Sequence, residues 1–256
     1  PERQDPAAPF MVFSAETQSA GRGRNGRNWA SETGGLFFTV LEQPGRPLAD
    51  WPLFSMRAQL AAARTVEALT GRRAALRWPN DVYAGGGKIA GILTELSGAG
   101  DRLRWIAVGV GINVNNRTER ALSCAELAGQ RLSRREGLER FLGELEQLRG
   151  AGAGELRDLW NAQAEGLGAP VRLIPAEHGE SKGTGEYGGT RGTAPEGGIF
   201  LGIDSRGRCR IAGAGAEPPN GVRSGVRPGV RSGVRRQVPV ARCYPPGTVS
   251  LIYQGV

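Results

Sequence analysis

Between residues 10 and 114, short apolar runs alternate with turn-forming residues, a pattern that predicts β-strands joined by loops. Val82–Ala84 and Lys88–Leu96 flank the glycines of residues 85–87, so we expect these two segments to form a β-hairpin. The near-continuous apolar run Trp105–Val114 is typical of a central, buried strand. The other strands predicted in this part of the chain are Phe10–Glu16, Leu36–Leu41 and Ala74–Trp78.

Helical periodicity occurs in three stretches. Apolar residues recur every three or four positions from residue 53 to residue 69, which predicts an amphipathic helix ended by Gly71. Ser133 and Glu136 have the spacing of a capping box and precede a second apolar stripe, so we expect a helix that ends before Gly150. The third predicted helix covers Gly154–Glu165.

From residue 169 the pattern changes to short apolar segments between turn-rich stretches, which predicts a small β-barrel. We therefore divide the chain into an α+β domain over residues 1–168 and a β-rich domain over residues 169–256. A Gly-Val-Arg repeat at about residues 213–237 is a low-complexity insert in the second domain. The strands predicted there are Val171–Ile174, Gly198–Asp204, Cys209–Ile211 and Thr248–Tyr253.

Composition argues against several classes of function. No apolar run approaches the ~20 residues of a membrane span, so no membrane partner is expected. The three cysteines are widely spaced, which disfavours a disulfide framework or a zinc site and fits a reducing cytoplasm. The single histidine, His178, lies in a glycine-rich run, so Ser-His-Asp hydrolysis and multi-histidine metal chemistry are disfavoured.

The net charge of +8 is compatible with a nucleic-acid partner. Residues 221–236 contain five arginines and no acidic residue, so this low-complexity segment supplies most of the excess. A non-enzymatic protein that binds RNA or DNA through its arginine-rich segments is therefore one hypothesis. Against it, aromatic residues that would stack on bases are not interleaved with these arginines.

Residues 21–29, here called the arginine loop, hold the densest cluster of candidate chemistry. Their sequence, GRGRNGRNW, has neither helical nor strand periodicity. Guanidinium groups, together with glycines that let backbone N–H groups approach closely, suit a phosphate or carboxylate ligand. The glycines also match the dinucleotide fingerprint, but no helix is predicted after them. An anion-binding loop is favoured over a solvated linker, because an inert linker has no reason to carry Trp29.

Lys88 is one of two lysines among 33 basic residues, and it follows the glycine turn of the predicted hairpin. An ammonium is a compact point charge, whereas a guanidinium is a wide planar fork, so a tight phosphate contact would favour lysine. The alternative is a surface lysine on an edge strand. Asp81, in the Pro-Asn-Asp turn before the hairpin, could bind an amine or Mg²⁺, or could equally be an Asx-turn residue.

Four motifs in order between residues 12 and 114 together resemble the biotin protein ligases. They are Glu16–Trp29 (ETQSAGRGRNGRNW), Arg77–Asp81 (RWPND), Lys88–Glu95 (KIAGILTE) and Val108–Val114 (VGVGINV). The resemblance implies a mixed-sheet α+β catalytic domain, similar to the class II synthetases. The β-rich end of the chain is similar to the family's SH3-like C-terminal domain. Lipoate protein ligases share the catalytic fold, but their arginine-glycine motif differs from the one here.

The resemblance implies a two-step reaction with ATP and biotin as substrates and Mg²⁺ as the accompanying ion. The biotin carboxylate attacks the α-phosphate of ATP to give biotinyl-5′-AMP and pyrophosphate. A lysine of the biotin carboxyl carrier protein of acetyl-CoA carboxylase then attacks this mixed anhydride. The enzyme supplies no nucleophile, so catalysis is expected to rest on positioning and charge stabilisation.

Site residues are carried over from matching motif positions. The implied catalytic residues are Lys88, Arg24 and Asp81, and Asp81 is also the expected Mg²⁺ ligand. The implied biotin contacts are Gln18, Gly21, Arg22, Gly23, Arg24, Lys88, Gly91, Leu93 and Gly109. The implied contacts to ATP or the adenylate are Arg27, Trp29, Asn80, Asp81 and Asn113. Closure of the arginine loop would exclude water, which would otherwise hydrolyse the anhydride.

The chain also departs from the family pattern. A winged helix-turn-helix does not precede the catalytic strands here, so a DNA-binding domain and a repressor role are not expected. The family's Asp-Ser-Thr-Asn segment, which helps to bind biotin, is not found before the arginine loop, and we expect the coding sequence to continue toward such a segment. The Gly-Val-Arg repeat is foreign to the pattern. The sequence leaves a homodimer open, and its cysteine usage predicts a cytoplasmic protein.

Overall fold

The computed structural model describes residues 10–43, 45–116, 118, 121–175, 198–213, 242–244 and 249–253. His178, Lys182 and the Gly-Val-Arg repeat beyond residue 213 lie outside the described residues. The strands are β1 (Phe10–Ala15), β2 (Leu36–Glu42), β3 (Ala74–Arg77), β4 (Asp81–Ala84), β5 (Gly87–Ala99), β6 (Arg102–Ile112), β7 (Pro170–Pro175), β8 (Gly198–Ile203), β9 (Cys209–Gly213), β10 (Arg242–Tyr244) and β11 (Val249–Tyr253). The helices are α1 (Trp51–Thr70), α2 (Cys124–Ala128), α3 (Arg134–Gln147) and α4 (Ala153–Ala162). Short 3-10 helices cover Arg24–Gly26 and Leu48–Asp50.

The first six strands form one sheet in the order β1-β2-β6-β5-β4-β3, and neighbouring strands run antiparallel. The strands predicted for this part of the chain are all present. β5 and β6 are longer than predicted because they continue to the turn at Gly100. The α+β class is confirmed, but the parallel pairing of a mixed sheet is limited, among the described residues, to an isolated bridge between Leu76 and Ala164.

The two faces of this sheet have different neighbours. Side chains alternate across a strand, and Phe38, Val40, Val108 and Val110 are buried on the face that packs on α1 and α3. The rings of Phe38 and Phe141 meet edge to face with centroids 4.8 Å apart, which fixes α3 on β2. The opposite face carries the site.

Local sequence signals set the ends of three helices. α1 ends at Gly71, as predicted, and the φ of 64° at this residue favours glycine. Ser133 caps α3 by accepting from the N–H of Glu136, but the Glu136 side chain makes no return bond in the described structure, so the predicted capping box is only half formed. The complete box is at Ser123 and Glu126, where it starts α2, a short helix that the sequence analysis did not predict. No helix in the described ranges is long and apolar enough to cross a membrane.

The remaining strands form a second antiparallel sheet in the order β10-β9-β8-β7-β11. Its residues Phe200, Ile203 and Ile211 are buried in the same hydrophobic core as those of the first sheet. Asn161 on α4 joins the two parts, because its Nδ2 donates to Ile203 O at 3.0 Å and its Oδ1 accepts from Ile203 N at 2.8 Å. The second sheet is therefore fixed on the helical layer of the first.

Candidate active site

A cleft of about 800 Å³ lies on the face of the first sheet opposite α1 and α3, between the arginine loop, strands β2, β5 and β6, and the turn before β4. This volume is within the range of small-molecule sites. All the residues that the sequence analysis assigned to the site, except Asn113, line this cleft. They are Gln18, Gly21, Arg22, Gly23, Arg24, Arg27, Trp29, Asn80, Asp81, Lys88, Gly91, Leu93 and Gly109.

The arginine loop closes on itself through backbone hydrogen bonds. Gly23 N donates to Arg27 O at 2.7 Å, and Trp29 N donates to Gly21 O at 2.9 Å. The single 3-10 turn Arg24–Gly26 lies between the two ends of this small hairpin. The loop is therefore a defined turn whose arginines line the cleft, rather than a linker.

Gly21 marks a close approach between the loop and the segment that leads into it. A side chain at this position would meet Ser31 Oγ at 2.6 Å and Gln18 Oε1 at 2.8 Å, so the contact requires glycine. Ser31 Oγ lies 2.8 Å from Gln18 Oε1 and 3.1 Å from Trp29 O, and its one proton serves one of these acceptors at a time. Because Ser31 holds the Gln18 oxygen, the amide NH₂ group is the part of Gln18 left for a ligand.

Two cations and their partners meet at one end of the cleft. Lys88 Nζ lies 2.7 Å from Asp81 Oδ1, and both side chains are partly exposed. Arg24 Nη1 is 3.5 Å from Asn80 Oδ1, at the outer limit of a hydrogen bond, whereas Arg24 Nη2 is buried without a partner in the described structure. Burial lowers the pKa of Arg24, Asp81 raises it and the neighbouring Arg27 lowers it. The guanidinium stays charged, so this buried unpaired donor marks a place for an anion.

The Trp29 indole lies against the glycines of β5 and β6. A Cβ atom on Gly111 would be 2.6 Å from Trp29 Nε1, and one on Gly91 would be 2.8 Å from Trp29 Cζ3. Lys88 Nζ is 5.1 Å from the centre of the indole ring, within cation–π range. From the family resemblance, Gly91 is expected on the floor of a ligand slot. In this structure the indole covers that glycine, and the role of Gly91 toward a ligand stays a prediction.

The open part of the floor centres on Gly109. In the antiparallel register Gly109 lies opposite Thr39 on β2 and Leu93 on β5. A Cβ atom on Gly109 would be 3.4 Å from Leu93 O and 3.9 Å from Thr39 Oγ1, so this position has room for a methyl group above the sheet. The floor here combines apolar surface with one hydroxyl, which suits a ligand with an apolar ring and a small polar group.

The cleft includes residues that the sequence analysis did not assign to the site. Most of them could have been predicted from the alternation of side chains along a strand. Because Gly91 and Gly109 lie on the cleft face, every second residue of β5 and β6 near them must lie on that face as well. Thr39 on β2 follows from its pairing with Gly109. The unassigned lining residues include Phe37, Thr39, Arg77, Tyr83, Glu95, Ala107 and Gly111.

Asn113 is the one assigned residue that the structure places away from the cleft. It is 2% exposed, its Nδ2 donates to Leu122 O at 3.2 Å, and its Oδ1 accepts from Asn116 Nδ2 at 3.0 Å. Its backbone oxygen accepts from Cys124 N at 2.8 Å. The Asn113 amide is therefore used inside the fold, where it holds the end of β6 against α2, and the contact to a nucleotide expected of it is not supported.

Among the described residues, no cysteine lines the cleft. Cys124 and Cys209 are buried away from it, and burial raises the pKa of Cys124 to about 12. Asp81 and Glu95 are the carboxylates that line the cleft. In the described ranges, no group of three His, Cys, Asp or Glu residues could hold a metal ion. The site offers fixed positive charge, amides and backbone groups for positioning a ligand.

Comparison with known proteins places these motifs in a family. A family model described as the biotin/lipoate A/B protein ligase family matches residues 4–113. A biotin–[acetyl-CoA-carboxylase] ligase from Paracoccus denitrificans is 33% identical over 215 residues, which cover 78% of this chain and 82% of the relative. This chain belongs to the biotin protein ligase family. The resemblance inferred from the four motifs is confirmed.

Other biotin protein ligases cover the chain to different extents. The biotin protein ligase from Aquifex aeolicus in complex with biotin and ATP has a TM-score of 0.65 and 25% identity, and the match covers 95% of this chain and 89% of that chain. The bifunctional ligase/repressor BirA from Bacillus spizizenii is 32% identical over 171 residues, or 62% of this chain. The chain spans 53% of the length of that relative.

Proposed function

We propose that this protein is an ATP-dependent ligase that activates biotin and transfers it to a lysine of a biotin carboxyl carrier protein. In the first step a biotin carboxylate oxygen bonds to the α-phosphorus of ATP, the bond from that phosphorus to the bridging oxygen breaks, and pyrophosphate leaves. In the second step the lysine ε-amine attacks the carbonyl carbon of biotinyl-5′-AMP, loses a proton and forms an amide, and AMP leaves.

The buried, unpaired Arg24 Nη2 beside Lys88 is the observation that carries the proposal. Both reactants of the first step are anions, and negative charge grows on the pentacoordinate phosphate as the carboxylate approaches. Fixed cations at that point stabilise the transition state without reorganising during the reaction. Asp81 holds the Lys88 ammonium 2.7 Å away in the free protein, and Asn80 does the same for Arg24 less tightly.

Biotin would lie on the open floor at Gly109, beneath the arginine loop. Leu93 would pack on its apolar ring, and the ureido group needs polar partners that the Gln18 amide and the Thr39 hydroxyl can supply. A pre-formed slot of this kind binds an apolar ring by removing it from water. The other proposed biotin contacts are Gly21, Arg22, Gly23, Arg24, Lys88 and Gly91.

ATP would lie at the cationic end, with Arg27, Trp29, Asn80 and Asp81 as its proposed contacts. We expect Mg²⁺ to enter as Mg–ATP, since this ion keeps water and phosphate oxygens and takes only one or two protein carboxylates, of which Asp81 is the proposed one. Residues 1–168 would form the catalytic unit and residues 169–256 the C-terminal unit. Free, buried Cys124 fits a cytoplasmic enzyme.

The ligase proposal is tested by its two products. Purified protein should release pyrophosphate only when biotin and Mg–ATP are both present, and mass spectrometry should detect biotinyl-5′-AMP. Addition of a carrier domain should give a biotinylated lysine, while a carrier with that lysine changed to arginine should stay unmodified. Absence of biotin-dependent pyrophosphate release, together with RNA or DNA binding that weakens steeply with salt, would instead support the nucleic-acid hypothesis.

Biotin together with Mg–ATP should protect the arginine loop from trypsin, which cleaves after arginine. With both ligands ~100-fold above their dissociation constants, cleavage after Arg22, Arg24 and Arg27 should slow by at least about 10-fold, because the bound state withholds the loop from the protease. Cleavage after Arg135, whose side chain is 87% exposed on α3, is the internal control and should not change. Equal loop cleavage with and without ligands would contradict closure over the substrates.

A further inference from the structure

Trp78 and Pro79 line two cavities at once. One is the cleft of the proposed active site, and the other is a small cavity of about 10 Å³ among α1, α4 and the β8–β9 turn. Among the residues that line these two cavities, Trp78 and Pro79 are the shared ones. The RWPND motif therefore lies between the site and the second sheet.

The indole of Trp78 is bonded to the second sheet. Trp78 is 4% exposed, and its Nε1 donates to Gly207 O at 3.1 Å. The turn that carries this acceptor is itself fixed, since Gly207 N donates to Asp204 O at 2.9 Å and the Asp204 carboxylate accepts from the backbone N–H groups of Arg206 at 2.9 Å and Arg208 at 3.0 Å. A buried bond to a rigid turn restricts the position of the Trp78 ring.

On the other side of Trp78, the next residues hold the cationic end of the cleft. Asn80 Nδ2 donates to Ile92 O at 2.8 Å, Ile92 N donates to Asn80 O at 2.9 Å, and Asn80 Oδ1 faces Arg24. Asp81 holds Lys88. A shift of the RWPND turn would therefore move the partners of both cations.

We propose that Trp78 is a positioning residue through which the second sheet fixes Asn80 and Asp81 for binding of the ATP phosphates. The expected effect on kinetics rests on the proposed ligase function. The hydrogen bonds from which the role of Trp78 is inferred do not depend on that function. Trp78 belongs to the RWPND motif, whose Asn80 and Asp81 are proposed to contact ATP. The N–H of its indole nevertheless donates to Gly207 in the β8–β9 turn of the second sheet. The second sheet thus contributes to the site without lining it.

Trp78→Phe tests the inference, because it keeps an aromatic ring and removes the N–H donor. Trp160→Phe is the matched control: Trp160 is 1% exposed, lines the same small cavity, and donates from Nε1 to Gln59 Oε1 at 3.0 Å, which joins α4 to α1 instead of the RWPND turn. Both variants lose one buried indole hydrogen bond of similar length.

In assays of biotin-dependent pyrophosphate release, Trp78→Phe should raise the KM for ATP by about 5-fold or more and change the KM for biotin by less than about 2-fold. Trp160→Phe should leave both KM values within about 2-fold of the wild type. Partial unfolding lowers kcat and leaves both KM values unchanged, so it cannot imitate this split. An unchanged KM for ATP, or the same rise in Trp160→Phe, would overturn the inference.

Amide hydrogen exchange supplies a readout that needs no ligase activity. The Ile92 amide, which donates to Asn80 O, should exchange faster in Trp78→Phe and at the wild-type rate in Trp160→Phe. If the wild-type protein released no pyrophosphate, the proposed function would fail and this exchange would still decide the role of Trp78. Exchange at Ile92 that is identical in the two variants would refute it.

Discussion

Lys88→Arg should slow biotin-dependent pyrophosphate release by at least about 10-fold, although it keeps the charge. The Lys88 ammonium reaches Asp81 Oδ1 at 2.7 Å and lies 5.1 Å from the Trp29 ring, in space bounded by both groups. A guanidinium is wider and planar, so it cannot place a donor at the same point. A 10-fold loss corresponds to about 1.4 kcal/mol of transition-state stabilisation. Single-turnover release at saturating biotin and Mg–ATP is the measurement.

Arg64→Lys is the control for Lys88→Arg. It exchanges the same two cations in the reverse direction, in the ion pair between Arg64 and Glu144, which joins α1 to α3 away from the cleft. It should leave the release rate within about 2-fold of the wild type, because lysine keeps a positive charge beside the buried Glu144 carboxylate and neither residue lines the cleft. A wild-type rate in Lys88→Arg itself would mean that Lys88 does no more than pair with Asp81 at the cleft.

Gly111→Ala should reduce biotin-dependent release by about 100-fold or more. The added methyl would lie 2.6 Å from Nε1 and 2.9 Å from Cζ2 of Trp29, so the indole must move and the arginine loop must move with it. A displacement of about 1 Å in a positioned group can cost 100-fold in rate. Overpacking should also lower the free energy of unfolding by about 1–3 kcal/mol. Urea unfolding and pyrophosphate release measure the two effects.

A second substitution separates this clash from a general sensitivity to alanine. Gly143 on α3 is exposed and has no atom within 4 Å of its Cβ position, so Gly143→Ala should raise the free energy of unfolding by about 0.5–1 kcal/mol and leave release unchanged.

In a double-mutant cycle, Trp29→Ala should be less destabilising in the Gly111→Ala protein than in the wild type. Additive effects of the two substitutions would show that residue 111 and the indole do not touch.

Much of the first sheet could be predicted because its strands are buried on one face. Alternation locates β3 and β4 closely, since each buries every second residue. β2 is located by its continuous apolar run, whose first three residues are all buried. The start of β6 could not be located, because Arg102 and Arg104 interrupt the apolar run. The pairing with β5 nevertheless resumes beyond an irregularity at Arg104 and reaches Arg102. The short helix α2 is hidden for a different reason: five residues are too few to show a helical period, and only the Ser123–Glu126 spacing indicated it.

The motifs predicted which residues meet, but not how they contact each other. Lys88, Asp81 and Arg24 come together as expected. The position of the Trp29 indole could not be predicted, because it depends on strand register. The register pairs Gly91 on β5 with Gly111 on β6, and the indole lies on the surface without side chains that these two glycines form. The role of Asn113 could not be predicted for a different reason. A polar residue at the end of a buried strand can contact a ligand or stabilise a turn, and only its hydrogen-bond partners in the structure distinguish these two roles.

The buried thiol at the start of α2 makes local opening of this protein measurable by alkylation. With a pKa of about 12, the Cys124 thiol is ionised in only about one molecule in 10⁴ at pH 8, whereas the same thiol in a loosened segment returns to about 8.5 and reacts readily. Iodoacetamide modification of Cys124, followed by peptide mapping, therefore counts how often the junction between β6 and α2 opens. The chain carries this probe without any engineered label.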